Sequence, residues 1–173
     1  MQFKPPATRA EARALAHPVR LRIIRLTVDQ PLTISELADR LGMAKATVLY
    51  HVRTLAREGF LVEQPPRRSA AGRTEKPYRS THKSLTISLT HVPEFPLAVL
   101  DAFRAEVAGH RDPEPVVFRR ALRLNDASRA RFIERIARLV EEYAGRPDPD
   151  GRPVNVLAVA VTEYPATEPA PPS

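Results

Sequence analysis

Apolar residues recur every three or four positions in three successive segments of the first third of the chain, the period of a helix buried on one side. The segments are residues 19–28, 34–41 and 45–57. In the third, Val48, Val52 and Leu55 are spaced by four and three residues, with His51 beside them. We therefore predict three helices that share one core, and we interpret His51 as a core histidine, not a ligand.

Two T-x-x-E sequences mark where helices begin. Thr8 precedes Glu11, and Thr33 precedes Glu36. In such a pair the hydroxyl and the carboxylate satisfy amide groups that a new helix leaves without partners. A short helix is thus expected over 9–16 and another from residue 34. Gly42 ends the latter, because glycine readily adopts the left-handed conformation of a tight helix stop.

A hairpin is predicted after the third helix. Residues 60–64 and 78–81 are typical of strands, and two prolines at 65 and 66 end the first of them. Gly72 lies at a plausible tip. Three helices followed by a hairpin indicate an α+β fold for this half of the chain.

The second half alternates predicted strands and helices. Strands are expected at 84–91, 116–124 and 154–161, and helices at 96–109 and 126–144, the latter capped by Asn125 or Asp126. The inward positions of the first helix would be Val99, Leu100, Phe103 and Val107, and the wide apolar face of the second would comprise Phe132, Ile133, Ile136, Leu139, Val140 and Tyr143. Residues 1–7 and the Pro-rich residues 165–173 are expected to be mobile tails.

Charge divides the chain unevenly. Of the 173 residues, 27 are Lys or Arg and 20 are Asp or Glu, which gives a net charge of +7. Residues 1–83 carry 16 basic and 7 acidic residues, whereas residues 84–173 carry 11 and 13. The positive charge therefore accompanies the three helices and the hairpin, as a nucleic-acid partner would require, because Lys and Arg displace the counterions of phosphates.

The outward side of the third helix carries donors, hydroxyls and a phenol, with no carboxylate before Glu58. A helix that is apolar on one side and cationic or neutral-polar on the other suits a DNA major groove. We predict that Thr47, Tyr50 and Arg53 contact base edges, with Lys45 and Arg57 near phosphates. Basic residues of the hairpin would contact the DNA backbone or the minor groove: Arg67, Arg68, Arg73 and Lys76.

Several motifs in this order carry a resemblance to a known family. They are LAHPVRLRIIRL at 15–26, SELADRLG at 35–42, TVLYHVRTL at 47–55, EGFLV at 58–62 and GRTEKPYRST at 72–81. Residues 8–83 resemble the ArsR-type winged helix-turn-helix transcriptional regulators, and the last motif is also similar to the second wing strand of PadR-like proteins. One departure is Ala44, where the family usually has a Ser or Thr cap for the recognition helix.

The resemblance implies a DNA-binding domain over 1–83, double-stranded DNA as a partner and a homodimer. Residues 84–164 would then form a dimerisation or effector region. The dimer surface is expected to include the first helix, residues 8–16, and the apolar face of 126–143. A bacterial origin fits the abundance of Arg, Ala and Pro, and a start without an apolar signal core predicts a cytoplasmic protein without a membrane partner.

Catalytic and metal-binding patterns are absent from the sequence. The chain has no cysteine, and its five histidines are dispersed without the spacing of a ligand cluster, so no metal, cofactor or enzymatic activity is predicted. Aromatic residues of the second half could line an apolar effector pocket, although core packing is the favoured explanation for them: Phe103, Phe118, Phe132 and Tyr143.

Three functions of different classes are compatible with these patterns. The first is a sequence-specific transcriptional regulator, with or without a non-metal small-molecule effector. The second is a winged helix used for protein–protein contact, which would favour an apolar or acidic surface on the third helix. Lys45, Arg53 and Arg57 argue for the first. An enzyme is the third, and no set of catalytic groups supports it.

Overall fold

The computed structural model describes residues 4–68, 72–89, 91–109, 115–117, 120–146, 148–152 and 154–161. These residues belong to two compact units, one of residues 2–116 and one of residues 117–173. The helices are α1 (Arg9–Leu15), α2 (Pro18–Asp29), α3 (Ile34–Leu41), α4 (Lys45–Arg57), α5 (Phe95–Ala108) and α6 (Asp126–Ala144). The strands are β1 (Leu61–Glu63), β2 (Arg67–Arg68), β3 (Thr74–Glu75) and β4 (Tyr78–Ser80), and a short 3-10 helix covers Lys83–Leu85.

Both predicted capping boxes are confirmed. Thr8 accepts from the amide of Glu11 at 3.2 Å, and the Glu11 carboxylate accepts from the amide of Thr8 at 2.7 Å. Thr33 and Glu36 repeat the same two distances at the start of α3. Gly42 ends α3 with a φ of 65°, as predicted. Residues that can be recognised in the sequence therefore determine where α1 begins and where α3 begins and ends.

Helices α1 to α4 share the core of the first unit with the hairpin. Leu15, Ile23, Leu37, Val52 and Phe60 are almost completely buried there. The prediction of three helices around one core is thus confirmed. Within the same core, the Thr27 hydroxyl donates to the carbonyls of Ile23 and Ile24 at 2.9 and 3.0 Å, which satisfies a buried polar group.

The hairpin consists of two antiparallel ladders. Strand β1 pairs with β4, with Leu61 opposite Ser80, and β2 pairs with β3, with Arg67 opposite Glu75. An additional bridge joins Leu32, between α2 and α3, to Tyr78 through two backbone hydrogen bonds of 2.8 and 3.0 Å. The wing, defined here as residues 61–80, is therefore tied to the helices at its base.

Residues just before α1 are paired, contrary to the predicted tail. The amide of Ala7 donates to the carbonyl of Ser88 at 2.9 Å, and the amide of Ser88 donates to the carbonyl of Pro5 at 2.8 Å. Ala7 is 7% exposed. The predicted tail over 1–7 is thus wrong for residues 5–7, because Ser88 supplies backbone partners that no local pattern announces; residues 1–3 and the predicted tail over 165–173 lie outside the described residues.

The predicted strand over 84–91 is wrong. Its first residues belong to the 3-10 helix, and Ser88 forms an isolated bridge with Pro6 rather than part of a strand. Helix α5 is confirmed, but its buried positions are Ala98 and Ala102, whereas Leu100 and Val107 are 41% and 39% exposed. Small alanines allow the backbone of α5 to approach α2 closely, which bulky side chains at those positions would prevent.

In the second unit, α6 and its cap are confirmed, since Asn125 accepts from the amide of Ser128 at 2.8 Å. The other two predicted strands are wrong. The described residues of 116–124 form no helix or strand, and those of 154–161 form none and expose Val154 and Val161 by 81% and 82%. A strand needs a neighbour to satisfy its amides, and the described part of this unit supplies none.

Candidate nucleic-acid interface

Helix α4 presents a polar outward side to solvent. The predicted base-reading and phosphate-contacting residues of this helix are all exposed, namely Lys45, Thr47, Tyr50, Arg53 and Arg57. Thr47, Tyr50, Arg53 and Arg57 follow one another at spacings of three and four residues, so they lie along the same side of the helix. Tyr50 is 63% exposed although it is aromatic. The structure thus brings these residues together on one accessible surface.

The opposite side of α4 is anchored in the core. Val48, Val52 and Leu55 are completely buried, and His51 is 6% exposed. At its first turn, Ala44 makes no side-chain hydrogen bond to the helix, as the sequence predicts. Packing rather than capping therefore positions the outward residues.

Arg67 and Lys76 of the wing are engaged in ion pairs. Nη2 of Arg67 donates to both carboxylate oxygens of Glu36, at 2.6 and 2.7 Å. Nζ of Lys76 lies 2.7 Å from Oε1 of Glu63. That hydrogen bond lowers the pKa of Glu63 and raises the pKa of Lys76. Both cations therefore carry an acidic partner on the same surface.

Arg68 and Arg73 are the other two wing cations, and both are exposed. Arg68 lies on β2, directly after Arg67, and Arg73 lies between Gly72 and β3. Gly72 has a φ of 74°, a left-handed conformation that suits glycine at the end of a turn. No ion pair of Arg68 with another described residue occurs in the structure.

Glu36 has a role that the sequence alone did not reveal. Its carboxylate closes the capping box of α3 and also accepts from Arg67, 31 residues away. Burial would raise the pKa of Glu36, but the hydrogen bonds from Thr33 and the charge of Arg67 outweigh burial and lower it. A second link is the hydrogen bond from Ser35 to Glu75 at 3.0 Å. The wing is therefore held against the start of α3 by two side-chain contacts.

The end of α4 lies close to the wing. Burial and Glu63 raise the pKa of Tyr78 on β4, and the Arg53 guanidinium is near enough to oppose that shift. Nε of Arg57 lies 3.1 Å from Oε1 of Glu58, while the Arg57 side chain remains 73% exposed. Arg53, a predicted base contact, therefore lies near Tyr78 of the wing.

A partly buried polar cluster lies beside Tyr50 and was not predicted. The rings of His17 and His51 are 4.7 Å apart, and those of Tyr50 and His51 are 5.4 Å apart. Nδ1 of His17 accepts from the amide of Val19 at 3.2 Å, which makes His17 the cap of α2. Within the described structure, Nδ1 of His51 and Nε of Arg20 are buried without a hydrogen-bond partner. A 34-residue separation explains why no local pattern paired the two histidines.

Burial lowers the pKa of His51, and the charges of His17 and Arg20 lower it further. Burial also lowers the pKa of His17, with a smaller contribution from Arg20. Both imidazoles therefore favour the neutral form. In the described parts of the chain no group of three or more acidic or histidine side chains could hold a metal ion.

The four candidate effector residues are distributed over both units. Phe103 lies half-buried on α5 in the first unit, and Phe118 lies outside the described residues. Phe132 and Tyr143 lie on α6 in the second unit and are 39% and 74% exposed. Eleven residues of helix separate these two by about 16 Å, so they are not adjacent.

Comparison with known proteins supports the helix-turn-helix assignment. A family model described as a helix-turn-helix domain matches residues 15–64, from the end of α1 through β1. None of the curated proteins matches the chain. Helices α2 to α4 therefore lie in a helix-turn-helix domain, and the paired strands that follow form its wing, within an α+β chain. Among the described residues, no helix is both long and apolar enough to cross a membrane.

Solved structures that are similar to this chain include three bacterial proteins. Reduced HlyU from Vibrio cholerae is 22% identical with a TM-score of 0.35, over 53% of this chain and 80% of that one. The transcriptional repressor BigR from Xylella fastidiosa is 17% identical with a TM-score of 0.36, over 58% and 84%. The adhesin competence repressor AdcR from Streptococcus pyogenes is 14% identical with a TM-score of 0.34, over 72% and 77%.

Proposed function

We propose that this protein is a sequence-specific DNA-binding transcriptional regulator that acts as a homodimer. The outward side of α4 carries the proposal. It exposes Lys45, Thr47, Tyr50, Arg53 and Arg57 on a helix that contains no acidic residue. An α-helix with such a surface fits the major groove, where Arg can donate two hydrogen bonds to guanine.

The proposed roles differ between the helix and the wing. Thr47, Tyr50 and Arg53 lie on the exposed side of α4 and would contact base edges, while Lys45 and Arg57 would lie near phosphates. Arg68 and Arg73 on the wing would contact the DNA backbone and give affinity without sequence choice. Arg67 and Lys76 would contribute less, because Glu36 and Glu63 already neutralise them.

A homodimer follows from the size of the reading surface. One short helix contacts only a few base pairs, and two of them about 34 Å apart would enter successive major grooves of a palindromic site. The apolar side of α1 packs in the core of its own unit, with Ala12, Ala14 and Leu15 buried. The apolar face of α6 is therefore the better candidate for the dimer surface.

The experiment begins with selection of bound fragments from genomic DNA of the host. The Kd of the wild type and of the variants Arg53→Ala and Arg68→Ala is then measured on the selected duplex and on random duplex. Arg53→Ala should lose about 1–3 kcal/mol of discrimination between the two duplexes. Arg68→Ala should weaken both alike. Equal losses on both duplexes for Arg53→Ala would contradict the assigned roles.

The rival function is a winged helix used for contact with another protein. Salt separates the two functions, because a DNA binder with several phosphate contacts loses affinity steeply as salt rises. A Kd for the selected duplex that is unchanged between about 50 and 200 mM salt would favour the rival.

The proposal includes regulation by a small-molecule effector. A non-metal ligand bound by the second half of the chain would change the spacing of the two recognition helices. A thermal-shift screen of metabolites tests whether such a ligand binds. No stabilisation by any metabolite, in protein that still binds DNA, would leave a regulator without a ligand.

A further inference from the structure

Helix α6 exposes a continuous apolar stripe. Phe132, Ile136, Leu139 and Tyr143 are spaced by four, three and four residues, the repeat of a coiled-coil seam. None of the side chains of α6 is buried, and α6 is the only helix or strand among the described residues of its unit. A stripe of this length in contact with water is unfavourable, so it requires an occupant.

We infer that α6 pairs with α6 of a second copy in antiparallel orientation, with Phe132 opposite Tyr143 and Ile136 opposite Leu139. This inference rests on the proposed homodimer and specifies its interface. In this register each seam residue meets an apolar partner, and the two-fold axis generates every contact twice.

Charge selects the antiparallel orientation. In the inferred register, Arg135 of one copy lies beside Glu142 of the other, on one flank of the seam. Ile133 lies beside Val140 on the other flank. Both flanks are thus complementary, opposite charges on one side and apolar side chains on the other. In the structure Glu142 forms an exposed ion pair with Arg146 at 3.6 Å. Such a pair contributes little free energy, so Glu142 can leave it and pair with Arg135 of the second copy.

The parallel alternative lacks this complementarity. It would place Arg135 beside Val140, a charge against an apolar side chain. A guanidinium without a charged partner at such a contact disfavours association.

Because this chain contains no cysteine, introduced cysteines can measure the orientation of the helices directly. Single variants Phe132→Cys and Tyr143→Cys are prepared, and each is oxidised alone and in a mixture. In the inferred register, position 132 faces 143 of the other copy and is about 16 Å from position 132 of that copy. A disulfide needs Cα atoms closer than about 7 Å. The mixture should therefore form a covalent dimer, and each variant alone should not.

A matched control is Ala137→Cys, which lies away from the seam and should form no covalent dimer with Phe132→Cys. Covalent dimers from each single variant alone would overturn the inference in favour of parallel helices. A dimeric mass without cross-links in any combination would overturn it too, but would leave the proposed DNA-binding homodimer intact. A monomeric mass at all concentrations would overturn both.

Charge exchange provides a second test that needs no oxidation. Arg135→Glu places Glu beside Glu142 of the second copy and should raise the dimer Kd at least tenfold, measured by sedimentation. The double variant Arg135→Glu with Glu142→Arg should restore it, and Glu141→Arg, on the side of α6 opposite the seam, should leave it within twofold. Failure of the double variant to recover would overturn the register.

Discussion

Ala44 leaves the recognition helix α4 without a side-chain cap although its backbone already has cap geometry, with φ −63° and ψ 137°. A serine there can accept from an amide of the first turn without any backbone change. We expect Ala44→Ser to raise the free energy of unfolding by about 0.5–1 kcal/mol. Urea denaturation in the absence of DNA measures this change.

Ala46→Ser is the matched control for this substitution. Residue 46 is exposed inside the first turn of α4, where serine gains no cap and has a slightly lower helix propensity than alanine. It should leave stability unchanged or slightly lower. Equal stabilisation by both variants would show that capping is not the cause.

The His17–His51 contact predicts a dependence of stability on pH. Because burial lowers the pKa of both rings, the folded protein binds protons less readily than the unfolded chain, whose histidines titrate near 6.5. Stability should therefore be complete above about pH 6.5 and fall as the pH drops below it. His51→Leu removes one ring and its unpartnered Nδ1.

We expect His51→Leu to unfold at an unchanged or higher urea concentration at pH 7.5, and to lose less stability than the wild type between pH 7 and 5. Parallel urea titrations at these pH values measure both effects. Identical pH profiles for the two proteins would show that His51 does not carry the dependence.

At the level of secondary-structure elements, the wing and α3 are joined by the Arg67–Glu36 pair. Arg67→Met should therefore change the salt dependence of DNA binding little, because Glu36 already neutralises the guanidinium. Arg68→Met, at the next residue, should reduce the slope of log Kd against log salt by about 1. Fluorescence anisotropy over a salt series measures both slopes, and equal reductions would contradict this assignment.

The elements that were predicted correctly have boundaries that local side chains determine. The determining residues interact with, or adapt, the backbone within a few positions; they are Thr8, Thr33, Gly42 and Asn125. The strand predictions at 84–91 and 154–161 were wrong. Alternating apolar residues show which side of a strand would be buried, but not which second strand would pair with it. Ser88 forms backbone hydrogen bonds with Pro5 and Ala7 near the N-terminus, a contact across about 80 residues that no local pattern encodes.

The candidate site was likewise predictable where local patterns determine it and not where distant contacts do. Exposure of Tyr50 and Arg53 followed from helical periodicity, since the buried Val48 and Val52 fix the opposite side. The ion pairs of Arg67 and Lys76 were not predictable, because they depend on how the hairpin folds back onto α3 and onto β1. Residue identity thus predicted the location of positive charge, and tertiary structure determines how much of it is neutralised.

For the whole first unit, Lys83 joins distant parts of the chain. Its Nζ lies 2.7 Å from Oε1 of Glu11 on α1, donates to the carbonyl of Glu58 at 2.6 Å and lies 5.2 Å from the ring centre of Phe60. The hydrogen bond from Lys83, together with the amide of Thr8, lowers the pKa of Glu11 to about 2.

This lowered pKa predicts how acid affects stability. The unfolded carboxyl titrates near 4.5, so the contribution of Glu11 is complete above that pH and is lost as the pH falls toward 2. Glu11→Gln keeps a capping-box residue but removes the charge. We expect it to be less stable than the wild type at pH 7 and nearly equal at pH 2, measured by urea denaturation. A constant difference at both pH values would exclude this charge effect.

Glu36 has a consequence for how this molecule could diverge. One carboxylate both starts a helix and holds a β-hairpin, so any mutation that removes it would alter two structures at once. Descendants of this chain could vary Arg53 or Arg68 without disturbing the fold, whereas position 36 would accept only residues that satisfy both demands. Heritable change in DNA preference should therefore accumulate on the outer surfaces and leave this shared anchor in place.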